Sequence, residues 1–592
     1  MSLKPRNEAD DRYTGDLSHI FKTRDDFEKA YAEAEASILQ LDGLRGKMTA
    51  DSETLKRSLD TIYEIGEKAE LVYLYAFLQK ESDNSDPEYQ AMAGRATNLI
   101  VAFSSAVSFM NPEILSAGRE KLEGFLADPI LAGYRHILHD IARAEEHTLD
   151  EKGERMLAML GDAAEIPSDT FGMLESVDMT FPDVTDAAGE EKALTHGNFI
   201  VYMTDPDRRV RREAYEKYFG EFAKYINTFA ALYSGAVKLD TYFADVRGFD
   251  SALEASLFSS AVPVSVYDSL IEAIHSALGD MKKYTDLRRR VMGLESIDMY
   301  DLYCPMVEGV RDSYTFEEAC ELVKGAVAPL GEEYVSLVER AISEKWIDVY
   351  ENVGKTTGAF SCGVHGVHPY ILLNYTGTID DVFTLAHELG HAMHSYFSSR
   401  EQDFANHNYT IFAAEVASTV NEVLLTKYLL RTETDTVRRA YILNHFLEGF
   451  RTTVFRQTLF AEFEKLAHEA HKSGTPLTAE SLNSIYRELN LLYYSGVDVG
   501  DTHSIEWARI PHFYRAYYVY QYATGFCSAV AIAQHVLDTG DASDYLEFLK
   551  TGGSDYPIEE LKITGVDLTS PEPVKRAMRV FADTVDELAE LI

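Results

Sequence analysis

The 592-residue sequence predicts a mainly α fold with a small β-sheet beside one central helix. Three observations lead there. Apolar residues recur at helical spacing along most of the chain, and β-like runs are confined to two short stretches. The third is composition: 46% hydrophobic and 26% charged residues suit a folded globular chain and exclude a disordered one.

From residue 25 to about 160 the pattern is helical, as in Leu71, Leu74, Phe77 and Leu78. The apolar run 99–110 is interrupted by Ser104, Ser105 and Ser108 and stops at Asn111-Pro112, short of the roughly 20 residues a membrane helix needs. It reads as a buried core helix. Between 166 and 202 the texture changes. The run 179–184, the turn-forming 186–189 and the run 199–202 predict a β-hairpin, and the chain divides here into an N-terminal helical domain, 1–200, and a second domain, 201–592. Helical spacing returns over 207–345. Glycines and Pro369 then break it between 354 and 377, where 359–362 and 370–375 predict a strand pair preceding the next helix. After Asp380 helices run to the end, with loops around 473–476, 496–502 and 552–556.

The formal charge of −42 repels phosphate backbones and anionic lipid, so nucleic acid and membrane surfaces are not expected partners. Cys304, Cys320, Cys362 and Cys527 form no C-x-x-C pair, which argues against a disulfide framework and a thiolate zinc site. The first residues are charged where a secretory signal needs an apolar core. A cytoplasmic location is expected.

The chemistry concentrates in Thr378-Ile-Asp-Asp-Val-Phe-Thr-Leu-Ala-His387-Glu388-Leu-Gly-His391-Ala-Met-His394. Thr378 and Asp381 have capping-box spacing, and Val382, Leu385, Ala386, Leu389, Met393 and Phe397 make the segment a buried helix. On that helix His387 and His391 share a face and can bind one Zn²⁺. Glu388, about 100° round, can reach a water at the metal without being a ligand. A third ligand is needed. The apolar segment beginning Ile411-Phe-Ala-Ala-Glu415 carries a polar stripe, Glu415, Ser418, Thr419 and Glu422, which is costly to bury unless paired or metal-bound. Glu415 is the expected ligand and Glu422 the alternative, with Glu422 and Ser418 otherwise placed to orient a histidine ring. His₂Glu favours zinc and also accepts cobalt or manganese.

In these motifs the sequence resembles the thimet oligopeptidase and oligoendopeptidase F family of zinc metallopeptidases, closest to the oligoendopeptidase F branch. The likeness runs from about residue 194 to the C-terminus. It passes through Gly358-Ala-Phe-Ser361, Pro369-Tyr-Ile-Leu-Leu-Asn-Tyr375, the His387–His394 motif, Ala414-Glu-Val-Ala-Ser418 and Ala508-Arg-Ile-Pro-His-Phe-Tyr514. It is weaker over the N-terminal half, including Thr195-His-Gly-Asn198 and 205–212. The resemblance implies a two-lobed helical fold with a zincin-like core and a deep substrate channel, one zinc per chain, and cleavage of short peptides in preference to folded proteins.

Five tyrosines lie within residues 514–522. Aromatic residues at such spacing commonly pack a core, but a phenol or imidazole can also donate to the oxyanion that peptide hydrolysis builds. The resemblance assigns oxyanion stabilisation to His512 and Tyr520 and further substrate contacts to Tyr514 and Tyr517. The interval from His512 to the tyrosines is shorter than in the thimet branch. Gly358, Ala359 and Phe360 read either as part of a buried strand pair or as an edge that docks a peptide antiparallel through main-chain hydrogen bonds. His365, His368 and His394 are not expected to be ligands. The same zinc site would also serve a carboxypeptidase or dipeptidyl carboxypeptidase, and from another class a peptide-binding scaffold with a vestigial site.

Overall fold

Side-chain caps start the helices of the N-terminal part. Helix α1 (Arg24–Ile38) begins at a reciprocal cap: Thr23 Oγ1 accepts from the Asp26 N–H (3.2 Å) and the Asp26 carboxylate from the Thr23 N–H (3.1 Å). The Asp51 carboxylate accepts from the Thr54 N–H (2.7 Å) ahead of α2 (Ser52–Ser82), and Asp86 caps α3 (Pro87–Val107), whose proline occupies the first turn, where a missing N–H costs nothing. Phe27, Leu59, Val72, Met92, Ala96 and Leu99 close one continuous core among these helices.

The structure, a computed structural model, describes residues 3–307 and 313–592 and is mainly helical, as the sequence predicts. Two compact units form, each discontinuous in sequence. The first takes Met1–Glu146, Arg311–Tyr428 and Ile532–Val566; the second takes His147–Val310, Leu429–Ala531 and Asp567–Ile592. Residue 200, where the sequence changes texture, therefore lies within the second unit's chain.

The 99–110 run is not the buried core helix expected. Met92, Ala96 and Leu99 form the inward stripe of α3, and beyond Leu99 Ile100, Phe103, Ala106 and Val107 are only half-buried against that core while Val101 is 61% exposed. Pro87–Ser116 is, among the described residues, the one helical stretch long and apolar enough to cross a membrane by length and composition.

In the first unit three short strands form a sheet. Strand β2 (Phe360–Cys362) pairs antiparallel with β3 (Tyr370–Leu372), as expected, with Ser361 opposite Ile371. A strand the sequence reading did not foresee, β1 (Ile347–Asp348), pairs parallel to β3, so the order is β1-β3-β2 and β2 is an edge. The sheet packs on α2 through Leu74, Leu78 and Tyr370, with the Phe360 ring 5.6 Å from that of Phe77.

The expected hairpin exists in the second unit, but its second strand is not 199–202. Val184–Thr185 pairs with Glu191–Lys192, because the Asp186 carboxylate accepts from the N–H groups of Ala188 (2.9 Å) and Glu190 (2.8 Å) and closes a tight turn. The 199–202 run starts the short helix Phe199–Met203. Thr195 and Asn198 bond each other's backbone just before it, and Phe199 stacks on Tyr218 at 4.0 Å.

Candidate active site

Helix α4 (Ile379–Glu401) is fixed at its start by the predicted capping box. The Asp381 carboxylate accepts from the N–H of Thr378 (2.8 Å) and of Thr376 (3.2 Å), while Thr378 Oγ1 accepts from the Asp381 N–H (3.3 Å). Val382, Leu385, Ala386, Leu389, Met393 and Phe397 are buried along one side, which sets the rotation of the helix and leaves His387 and His391 half-buried on the other. Helix α5 (Ile411–Thr432) buries Phe412, Ala413, Val416, Ala417 and Val420 and carries Glu415.

The two helices meet at Gly390, between the histidines. A Cβ there would lie 2.6 Å from the Ser418 Cα and 2.7 Å from the Ala417 carbonyl oxygen, so only glycine permits this approach. Asn421 locks the contact, donating from Nδ2 to the Ala386 carbonyl (3.0 Å) while its Oδ1 accepts from Tyr334 (3.0 Å). Neither Gly390 nor Asn421 was singled out from sequence. A small residue between two ligand positions was the available signal.

His387 and His391 bring their Nε2 atoms to 3.1 Å with ring planes at 86°, and ligand atoms of His387, His391 and Glu415 all lie within 4.8 Å of one another. The Glu422 carboxylate bonds His387 Nδ1, and the Ala414 backbone bonds the His391 ring. With Nδ1 of His387 so engaged, its Nε2 faces His391 and Glu415. Two imidazoles and a carboxylate converging on one point fit a metal ion, and the set suits zinc. Glu422, the alternative ligand, holds the ring instead.

Burial disfavours charge on His387, but the Glu422 carboxylate outweighs it and holds the imidazole up at about 9. Burial, then the charge of His387, presses His391 down to about 3. Glu388 is 7% exposed, and its Oε2 has no hydrogen-bond partner among the described residues. Burial, helped by Glu415 and Glu422 against the pull of His387, pushes its carboxyl up to about 7, the range in which a carboxylate is an effective general base. The remaining histidines are engaged elsewhere. His365 bonds Glu67 (2.5 Å) and the Gln402 carbonyl (3.1 Å), His368 bonds His19 (2.6 Å), and His394 stacks on Tyr409 at 3.6 Å.

Just before edge strand β2, the Gly358 carbonyl accepts from Asn374 Nδ2 (2.8 Å), which ties the backbone leading into Phe360 to the segment after β3. His512, Tyr514, Tyr517 and Tyr520 belong to the second unit. There His512 is exposed, and its ring neighbours Tyr518 (6.1 Å) and Tyr522 (6.2 Å). Tyr514 is half-buried against Phe171 (4.6 Å). Tyr517 and Tyr520, expected to meet substrate or oxyanion, turn inward instead, 3% and 2% exposed, with both rings against Tyr267. Tyr518 and Tyr522, both half-buried, are the phenols beside His512.

Glu422 offers a direct test of the metal-site geometry. Glu422→Gln is expected to weaken metal affinity about 10- to 100-fold, because the ring of His387 loses its anionic anchor. Titration with a competing chelator reads this; unchanged affinity would remove Glu422 from the site.

Comparisons with known proteins place these residues in context. The model of the family described as Peptidase family M3 matches residues 201–580, and one described as Oligopeptidase F matches 113–181. Oligopeptidase PepF of Bacillus subtilis is 41% identical over 100% of this chain and 89% of its own. Group B oligopeptidase PepB of Streptococcus agalactiae is 38% identical over 99% and 98%. The crystal structure of oligoendopeptidase-F from Enterococcus faecium superposes with a TM-score of 0.74 at 36% identity, covering 95% of this chain and 98% of that one.

Proposed function

The chain belongs to peptidase family M3 and is a metalloendopeptidase, and from that premise we propose that it is a zinc-dependent oligoendopeptidase hydrolysing internal bonds of short peptides with Glu388 as general base. The observation that carries the reading is the convergence of His387, His391 and Glu415 beside a buried glutamate with an uncommitted oxygen. When bound, zinc would polarise the scissile carbonyl and acidify a water.

The chain's own residues supply the rest. Glu388 takes a proton from the attacking water and passes it to the departing amine, a shuttle its raised carboxyl pKa favours in both directions. Glu422 bonds Nδ1 of His387 and so would leave Nε2 as the nitrogen that ligates a bound metal. Phe360 on edge strand β2, with Gly358 and Ala359 leading into it, would take the peptide by main-chain hydrogen bonds, giving broad tolerance of sequence. His512 and one phenol of its segment are the proposed oxyanion donors; the resemblance favours Tyr520, and exposure favours Tyr518 or Tyr522. The four free cysteines suit a reducing, cytoplasmic setting.

Digestion of a peptide mixture acetylated at the N-terminus and amidated at the C-terminus, read by mass spectrometry beside a chelator-treated control, tests this. Internal cleavage abolished by chelation is the expected result. Survival of blocked peptides while free-ended ones lose C-terminal residues would replace the reading with an exopeptidase, and no cleavage at all with a peptide-binding scaffold.

A further inference from the structure

We propose that Glu464 is a positioning residue: by gripping the peptide group between Ala516 and Tyr517 it holds the segment bearing His512, Tyr518 and Tyr520 in its working shape. The inference rests on the reading above that this segment takes part in the reaction.

Tyr517 is one of three non-glycine residues in the left-handed region among those described, at φ +59°. For a residue with a bulky side chain this conformation is strained and persists only where the surroundings enforce it. Here they act on both ends of one peptide group. The Tyr517 N–H donates to Glu464 Oε1 (2.9 Å), and Ser256 Oγ donates to the Ala516 carbonyl (3.1 Å). The ring of Tyr517 is wedged between His468 (4.8 Å) and Tyr267 (5.7 Å).

Glu464 is itself an expensive residue to keep. It is fully buried on helix α6 (Arg456–Lys472), no cation meets its carboxyl, and Oε2 has no partner among the described residues. The groups around it are the phenols of Tyr233, Tyr267 and Tyr517, together with Asp240 and His468. Burial pushes its carboxyl well above the usual carboxylate range. A leucine would pack this interior without an orphaned oxygen, but it would offer nothing to the Tyr517 amide. Two local costs therefore meet on one peptide group. The result is a reversal of the chain that buries the ring of Tyr517 and leaves Tyr518 beside the exposed His512.

Glu464→Met removes the acceptor, and Glu464→Gln, of the same shape and still carrying a carbonyl oxygen, keeps it. The expected result in Glu464→Met is a fall in kcat of about tenfold to a hundredfold with KM within about threefold and metal content unchanged, since the loss is one of orientation. Amide exchange over residues 510–520 should speed up. Glu464→Gln should restore kcat to within about twofold and superimpose on the parent's pH profile. Ser256→Ala, which frees the other end of the same peptide group, should lower kcat in the same direction if Glu464→Met fails to fold. Parental kcat in folded Glu464→Met, parental kcat in Ser256→Ala, or equal losses in the Met and Gln variants would overturn the proposal. Parental turnover in His512→Ala would instead sink the role of the segment, while the exchange measurement would still judge the grip of Glu464.

Discussion

Glu388→Gln is expected to bind metal as the parent does and to cleave internal peptide bonds about 10²- to 10⁴-fold more slowly, the usual worth of a positioned general base. The separation of the two effects follows from geometry. Glu388 is not among the three converging ligands, and glutamine fills the same volume on the same turn of α4, so the Nε2 atoms of His387 and His391 stay where the capping box and Gly390 put them. What glutamine cannot do is accept a proton and release it again. The carboxyl of Glu388 is suited to both steps because burial, with the carboxylates of Glu415 and Glu422 nearby, lifts it to about 7. KM should move little, since the substitution leaves edge strand β2 untouched. Steady-state kinetics on one blocked peptide, with metal stoichiometry on the same preparation, decides the matter. A fully metallated variant whose kcat stays within tenfold of the parent would show that another group takes the proton.

How much of this was readable in advance depends on how local the determinant is. The capping box of α4, the i, i+4 histidines and the polar stripe on α5 are written within single helical segments, and the structure brings His387, His391 and Glu415 together as their spacing implied. What escaped depends on distant partners. Strand β1 is two residues long and exists because Ile347 and Asp348 lie against Ile371 and Leu372. Phe199–Met203 has strand-like composition, yet it is helical because Thr195 and Asn198 start it and Tyr218 covers Phe199. The inward turn of Tyr517 needs a glutamate more than fifty residues upstream in sequence, so its ring could not be separated from those of its neighbours by periodicity. Glycine 390 was legible as a small residue, but only the position of Ser418 gives it a purpose.

Replacing Glu506 with leucine is expected to destabilise the second unit by about 3–5 kcal/mol, the cost of stripping one partner from a buried ion network. Glu506 is 2% exposed and bonds Arg456 (2.5 Å), Arg509 (3.4 Å) and the Tyr486 hydroxyl (2.5 Å), with His503 at 3.2 Å. Burial opposes its charge, but Arg456, His503 and Arg509 prevail and hold the carboxyl well below the usual range. The sign follows from linkage. A carboxyl whose folded pKa is depressed adds stability above its unfolded pKa of about 4.3, and that stability is lost as pH falls below it. The deficit of Glu506→Leu should therefore be full at pH 7 and shrink below about pH 4. The two tryptophans make the measurement specific, since Trp507 lies in the second unit beside this network and Trp346 in the first. In a Trp346→Phe background, urea unfolding followed by fluorescence reports the second unit alone. A midpoint at pH 7 equal to the parent's would mean that Arg456 and Arg509 reach water once Glu506 is gone. Arg509 leads directly into His512, so a lowered midpoint should come with lowered turnover, since the network then carries both the stability of the unit and the seat of its exposed imidazole.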